Sequence, residues 1–313
     1  MNTSSTEFNR TNKVALVMAT CNGASYIEKQ LDSILKQTHS PDLVIIRDDV
    51  SEDSTYQILS RYAHQHGFHV SQNKERLGVN DNFTRAVADV PDEFLIAFCD
   101  QDDYWLPEKL EKSIALLQQI AIHPNEPALV YSDLELMNEA GEILHTSVHR
   151  QRGQHRYAHV WETFLFGNMV SGCTIVMNAA MKKIMLELPR NQPFIYDAWL
   201  AMAAFGFGNI AKLPEPLIQY RQHSNNVTFS EHRSKNRIER FQTHWKMIFQ
   251  SNTFLQEEIT LASAFYSKYA NCLSNSKKDS LEALIALQGK PYLTKKLQFE
   301  MSFRKFWINR FGL

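Results

Sequence analysis

The stretch that decides the reading of this chain is Phe94-Leu-Ile-Ala-Phe-Cys99, followed by Asp100-Gln101-Asp102-Asp103-Tyr104-Trp105. An unbroken apolar run of this length predicts a strand covered on both faces, the pattern of a parallel sheet. The three carboxylates after it destabilise one another unless a cation or hydrogen-bond donors sit among them. Asp100 and Asp102 are two positions apart and share a side if the chain stays extended. In open α/β sheets ligands bind just beyond the carboxyl ends of the strands, where these acids fall. Oxygen donors suit Mg2+ or Mn2+, and Mg2+ commonly takes one or two protein carboxylates plus substrate phosphates. The competing reading is a solvated acidic turn before a helix starting near Pro107, with Asp103 as its cap.

Upstream, the same design repeats. Val14-Ala-Leu-Val-Met-Ala19 ends in Thr20-Cys21-Asn22-Gly23, and Leu43-Val-Ile-Ile46 ends in Asp48-Asp49. Helical spacing over 25–37, 54–66, 80–88 and 107–120 alternates with these runs, and His69-Val70-Ser71 reads as a short strand. Strands alternating with helices predict a mostly parallel, doubly wound sheet with right-handed crossovers. The polar loops carrying Asn22, Asp48, Asp49, Asp100 and Asp102 then lie on one edge, which favours a binding site over a chance acidic turn. A G-x-G-x-x-G fingerprint, a phosphate-binding P-loop and a G-x-S-x-G elbow are absent. Nicotinamide, P-loop and α/β-hydrolase chemistry are therefore disfavoured.

Downstream, Ala128-Leu-Val-Tyr131 reads as a strand with Asp133 at its end, and residues 144–159 as a long His- and Arg-rich loop able to act as a lid. Its His145/His149 and His155/His159 pairs have ligand spacing without a helical pattern around them, and His64, His66 and His69 fit a solvated face. Thr174-Ile-Val-Met177 reads as a strand and residues 181–188 as a helix. In Phe194-Ile-Tyr-Asp197-Ala-Trp-Leu-Ala-Met-Ala-Ala204, Asp197 is a lone acid at the front of a very apolar helix. Favourable interaction with the helix dipole explains such an acid without invoking function. A catalytic acid is the sharper alternative. Leu217-Ile-Gln-Tyr220 reads as a last strand leading into Arg221-Gln-His223-Ser-Asn-Asn-Val227.

The chain has 313 residues, with apolar and charged contents of 44% and 21%, ordinary for a soluble globular protein. Charge is divided unevenly: residues 1–230 hold 19 Lys and Arg against 27 Asp and Glu, and residues 231–313 hold 14 against 7. The division implies two regions with different jobs or partners, one over 1–230 and a basic, aromatic helical one over 231–313, with helical positions such as Ile238, Phe241, Trp245, Ile248 and Phe249. Its tail interleaves Lys295, Lys296, Arg304, Lys305 and Arg310 with Tyr292, Leu297, Phe299, Phe303, Phe306, Trp307 and Phe311. That pattern suits the anionic inner face of a membrane, or else a helix packed on the catalytic unit with its basic face in water. No module accompanies the charge to indicate nucleic acid. Four dispersed cysteines indicate buried thiols rather than disulfides or zinc, and neither a leader nor a membrane span is read. The expectation is a cytoplasmic protein with peripheral membrane attachment.

Taken together, residues 13–228 resemble the inverting family 2 of nucleotide-sugar glycosyltransferases, which have the GT-A fold. Ala19-Thr-Cys-Asn22-Gly23 resembles the family's first loop, and Asp48-Asp49-Val50-Ser51 with Asp53 its nucleotide-binding loop. Leu77-Gly78-Val79 with Asn82-Phe83 resembles the segment lining the nucleotide pocket. Asp100-Gln-Asp102-Asp103 resembles the Asp-x-Asp metal motif, and Gly172-Cys173-Thr174 a later landmark. Tyr196-Asp197-Ala-Trp-Leu200 resembles the segment carrying the catalytic base. The segment 220–227 is similar to one in rhamnosyltransferase-like bacterial members.

The resemblance implies Mn2+ or Mg2+ held by Asp102, with Asp100 as co-ligand or ribose partner and His223 completing the shell. It implies donor contacts from Ala19, Asn22, Asp48, Asp49, Gly78, Asn82 and Asp100, and Asp197 as base with Asp133 as the alternative. The expected substrates are a nucleotide sugar (dTDP-rhamnose or a UDP-sugar) and a saccharide or lipid-linked oligosaccharide for surface polysaccharide. Two departures stand out. Val50 replaces a Gly or small polar residue, and the Gln-x-x-Arg-Trp signature of processive synthases is missing, which favours single-sugar transfer. The rival readings are a catalytically silent sugar-binding module of this fold and a nucleotidyltransferase.

Overall fold

The computed structural model describes residues 13–224, Asn226 and 254–304. Strands β1 (Val14–Thr20), β2 (Leu43–Asp48), β3 (His69–Gln72) and β4 (Leu95–Cys99) form a parallel half-sheet in the order β3-β2-β1-β4. Helices α1 (Ile27–Leu35), α2 (Thr55–His66) and α3 (Val79–Ala88) make the crossovers. The apolar run of β1 serves both faces. Val14, Leu16 and Met18 pack with Ile27, Leu31 and Leu59 on one side, and Ala15 and Val17 with Phe83, Ala86 and Val87 on the other. This two-sided burial is why the run shows no polar alternation.

Beyond β4 the sheet becomes mixed. It continues through β8 (Val176–Met177), β6 (Ala128–Met137), β9 (Asn209–Arg221) and β5 (Tyr104–Trp105), while β7 (Ile143–His145) pairs with β6. β8 runs antiparallel to β4 and β6, and β6 is parallel to β9. The sequence marks only the end of β9, because Pro214 and Pro216 punctuate it. Its register with β6 jumps there, from Ser132↔Leu213 to Asp133↔Pro216. A proline cannot donate to the ladder and is tolerated at such an irregularity.

Helices α4 (Lys109–Ile120), α5 (Val148–Gln151), α6 (Trp161–Phe164), α7 (Ala179–Leu186) and α8 (Tyr196–Phe207) complete this unit. The segment read as a loop over 144–159 thus carries the end of β7, α5 and a 3-10 turn at Gln154–Arg156. Helices α9 (Gln256–Tyr269), α10 (Asn275–Ile285) and α11 (Tyr292–Arg304) follow. Ile259, Phe265, Leu281 and Leu284 join the same apolar core as α8. In α11, Tyr292 is buried and Phe299 packs edge-on against Phe166 and Phe254. Lys295 is buried too, donating to the Phe254 carbonyl at 3.1 Å, so it adds nothing to a basic outer face. The exposed stripe is apolar instead: Leu293, Leu297 and Met301 are 58%, 64% and 77% exposed. The helical positions read at Ile238, Phe241, Trp245, Ile248 and Phe249, and the tail side chains from Phe303 onward, lie outside the described residues. No described helix is long and apolar enough to cross a membrane.

Val50 has a φ of +58°. The left-handed region costs an L-residue about 1–2 kcal/mol, and a β-branched one is an outlier there. This explains why glycine or a small polar residue suits the position. Val50→Gly is expected to gain about 0.5–1 kcal/mol, strain relief outweighing glycine's chain entropy. A raised urea midpoint at unchanged slope would be the reading. A lowered midpoint would mean that Val50 packing dominates.

Candidate active site

The strand-end loops open on one cleft of about 1290 Å³, with Ala19, Asn22, Asp49, Gly78, Asn82 and Asp100 along one part of its wall. Asp102, Asp197 and His223 also line it. All the site residues expected from the sequence except Asp48 therefore meet in one place.

Asp48 is the correction. It is fully buried and off the cleft. Its carboxylate accepts from Thr20 Oγ1 (2.9 Å), Ser51 N (2.9 Å), Ser51 Oγ (2.5 Å) and Gln72 Nε2 (2.9 Å). Four donors fill a carboxylate's acceptor sites, so Asp48 braces the loop rather than meeting a ligand. Asp49 accepts from Asn73 Nδ2 (2.9 Å), Leu77 N (2.8 Å) and Gly78 N (2.8 Å), which pins the Leu77–Gly78 backbone beside it and leaves one acceptor site. Gly78 takes a φ of +81°, which glycine supplies without strain. Asn82 is buried, donating to the Arg47 carbonyl and accepting from Asn73, and so holds this wall in place. Asn22 also works structurally, its Oδ1 accepting from Glu52 N at 2.8 Å.

The residue between Asp100 and Asp102 has a role the sequence does not reveal. Gln101 pairs through its amide with the Cys21 backbone, accepting at 2.9 Å and donating at 3.0 Å, and so fastens the acidic loop to the first loop. A β-carbon on Gly23 would fall 2.3 Å from the Gln101 side-chain oxygen, so a larger residue there would displace that amide from the Cys21 backbone.

The three acids are unlike one another. Asp103 is fully buried and off the cleft, accepting from Arg221 N at 3.2 Å, with Oδ2 unpartnered. It does not cap α4, whose N-cap is Glu108. Behind it lies the buried Lys109, its ammonium 3.6 Å from the centre of the Trp105 ring and its pKa pushed down to about 8 by burial. Asp102 Oδ2 lies 2.8 Å from His223 Nε2. Asp100 is pushed up to about 7 by burial, then by the charges of Asp102 and Asp197.

Such crowding is what a divalent cation would relieve. Oxygens of Asp100 and Asp103 lie within 4.8 Å of Cys173 Sγ and of each other. Burial, reinforced by these acids, pushes the Cys173 thiol well up, so it stays protonated, and Mn2+ or Mg2+ prefers oxygen. Asp100, Asp102 and His223 offer carboxylate and imidazole donors on the cleft side, but among the described residues only the trio Asp100, Asp103 and Cys173 brings its three donor atoms within 4.8 Å of one another. Among the described residues the His145/His149 and His155/His159 pairs form no ligand cluster, and His149 instead contacts the Met169 carbonyl at 3.0 Å.

Asp197 opens α8 on the cleft wall. Oδ1 accepts from Asn168 Nδ2 and Oδ2 from Gly172 N, each at 3.1 Å. Burial nevertheless pushes its pKa up to about 7. A carboxylate poised there can accept a proton at neutral pH. Its two donors come from a loop with no periodic signal, and Asn168 is invisible to sequence reading. A β-carbon on Gly172 would fall 2.3 Å from the Tyr196 hydroxyl, so glycine is needed where that ring seats. Asp133, the alternative base, is off the cleft and lies within β6. It accepts from Leu134 N, His149 N and Ser147 Oγ, and so ties α5 down.

The model of glycosyl transferase family 2 matches residues 15–183, more than half of the chain. The chain belongs to this family. Its relatives include an uncharacterized glycosyltransferase of Rickettsia typhi, 23% identical over 95% of this chain and 92% of that one. The putative teichuronic acid biosynthesis glycosyltransferase TuaG of Bacillus subtilis is 26% identical over 69% of this chain and 81% of its own. The dTDP-rhamnosyl transferase RfbG of Shigella flexneri is 37% identical over 32% of this chain and 36% of its own. Among solved structures, S. aureus TarS in complex with UDP superposes with a TM-score of 0.55 at 17% identity, covering 96% of this chain and 94% of that one. The glycosyltransferase fold thus extends past the matched 15–183 segment into β9 and the helices beyond it.

Proposed function

We propose that this family 2 glycosyltransferase moves a single sugar from a nucleotide-sugar donor to a saccharide or lipid-linked oligosaccharide hydroxyl, with inversion. The observation that carries the reading is the placement of the Asp197 carboxylate on the wall of the cleft that holds the acidic loop, where burial pushes its pKa up to about 7. Asp197 takes the acceptor proton as that oxygen bonds to the anomeric carbon. The bond from that carbon to the diphosphate breaks, and its electron pair leaves with the nucleoside diphosphate. Attack opposite the leaving group inverts the centre.

Asp49 meets the pyrimidine N–H with its remaining acceptor site, beside a wall built from Ala19, Asn22, Gly78 and Asn82. Asp102 and His223, with Asp100, would hold Mn2+ or Mg2+. When bound, that cation neutralises charge developing on the leaving diphosphate. Relatives named for dTDP-rhamnosyl transfer and teichuronic acid synthesis, and the TarS complex with UDP-GlcNAc, support dTDP-rhamnose or a UDP-sugar as donor and a surface polysaccharide as product. Because α9 and α10 share the core of α8, we read the division near residue 230 as one of task, not of independent folding.

A panel of dTDP- and UDP-sugars with Mn2+, read by nucleoside diphosphate release and by anomeric NMR couplings of the product, tests the reading. Release of pyrophosphate would mean nucleotidyl transfer, and no turnover on any donor would favour a silent module. We place the enzyme at the cytoplasmic face of the membrane, docked through Leu293, Leu297 and Met301 beside the basic tail. Leu297→Glu is expected to abolish co-sedimentation with anionic vesicles. Unchanged sedimentation would remove the membrane from the proposal.

A further inference from the structure

The first loop, the acidic loop and the β6–β7 turn meet around Tyr26. This residue lies on the cleft wall just before α1, and its ring stacks on His223 with centroids 4.8 Å apart and planes at 23°. The Arg221 guanidinium lies 5.1 Å from the same ring centre. The Tyr26 hydroxyl donates to Glu139 Oε1 at 2.7 Å, and its pKa is pushed up to about 12 by burial and by that bond, so it remains a donor. Arg221 reaches the same turn, donating to the Glu139 carbonyl at 2.9 Å, while its Nε donates to the Asp102 carbonyl at 3.0 Å. One aromatic ring and one guanidinium therefore span from the acidic loop to the turn.

The geometry points to Tyr26 as a positioning residue that holds the His223 imidazole against Asp102 and ties that pair to the β6–β7 turn through Glu139. The inference rests on the proposed assignment of Asp102 and His223 as cation ligands. An imidazole on a chain end can turn about two bonds, and a flat ring stacked on it restricts that freedom. Outer partners that fix a metal ligand's orientation typically contribute about 10–100-fold in affinity or activity. The cost of losing Tyr26 should therefore appear in cation affinity before it appears in nucleotide binding.

The test is calorimetric titration of the full chain with Mn2+ at saturating UDP, alongside UDP titration in EDTA. Tyr26→Leu, which keeps bulk but removes the flat face and hydroxyl, is expected to weaken Mn2+ binding by about tenfold or more. UDP affinity in EDTA should not change. Tyr26→Phe keeps the stack and should restore most of the Mn2+ affinity. Glu139→Ala, on the exposed turn, should weaken Mn2+ binding in the same direction by a smaller factor without disturbing the fold. Wild-type Mn2+ affinity in both Tyr26→Leu and Glu139→Ala overturns the inference alone, provided Asp102→Asn has lost that affinity. If Asp102→Asn also binds Mn2+ normally, or the wild type binds none, the ligand assignment fails and the inference with it.

Discussion

Asp197→Asn is expected to lose sugar transfer by about 10²-fold or more while binding the donor nucleotide as before, the usual scale for removing a general base. The substitution keeps the size, but it removes the charge that takes the proton and replaces one accepting oxygen with an amide NH2. The wild-type pH profile carries the same argument. The active form is the carboxylate, and its pKa is pushed up to about 7 by burial. Activity should therefore fall tenfold per pH unit below about 7 and level off above it. Hydrogen bonds from the backbone N–H groups of Ala198 and Gly172 and from Asn168 hold the anion and restrain that rise. Removing one of them with Asn168→Ala should move the acid limb to higher pH, since the anion loses a donor. Stopped assays across pH 5.5–8.5 read both effects. Turnover retained in Asp197→Asn, or an acid limb near pH 4, would remove Asp197 from the chemistry.

How much of this was legible depends on how far apart the deciding residues are. β1, β2 and β4 announce themselves because both faces are buried, and their loops share an edge because parallel strands point the same way. Asp197 was legible as an acid out of place on an apolar helix. What the sequence conceals is hydrogen-bond saturation across long separations. Asp48 and Asp49 look equivalent side by side, yet Asp48 is consumed by Thr20, Ser51 and Gln72 while Asp49 faces the cleft. Asp133 looked like a strand-end acid because the apolar run stops at Tyr131, yet β6 runs past it to Met137. Lys295 looked like part of a basic face, but its ammonium turns inward to a carbonyl of Phe254, far upstream. Periodicity reports which face a residue occupies, and it is silent on which distant donor reaches it.

Asp102→Ala is expected to abolish the gain in donor affinity that Mn2+ confers. Its own Mn2+ affinity should fall by at least about 10²-fold, the upper end of what losing even an outer partner of a metal ligand costs. Asp103 is the informative contrast, because the two are sequence neighbours with opposite surroundings. Asp102 faces the cleft with His223 Nε2 at 2.8 Å, whereas Asp103 is sealed behind it, accepting from Arg221 N. Asp103→Asn still offers an oxygen to that N–H and replaces a carboxyl whose pKa burial already pushes well up. It should fold, and it should keep Mn2+ affinity far better than Asp102→Ala does. Calorimetry with UDP, with and without Mn2+, separates the two variants. Equal losses would mean that the acidic loop acts as one unit. Loss in Asp103→Asn alone would move the cation inward, toward the trio of Asp100, Asp103 and Cys173, and away from the cleft.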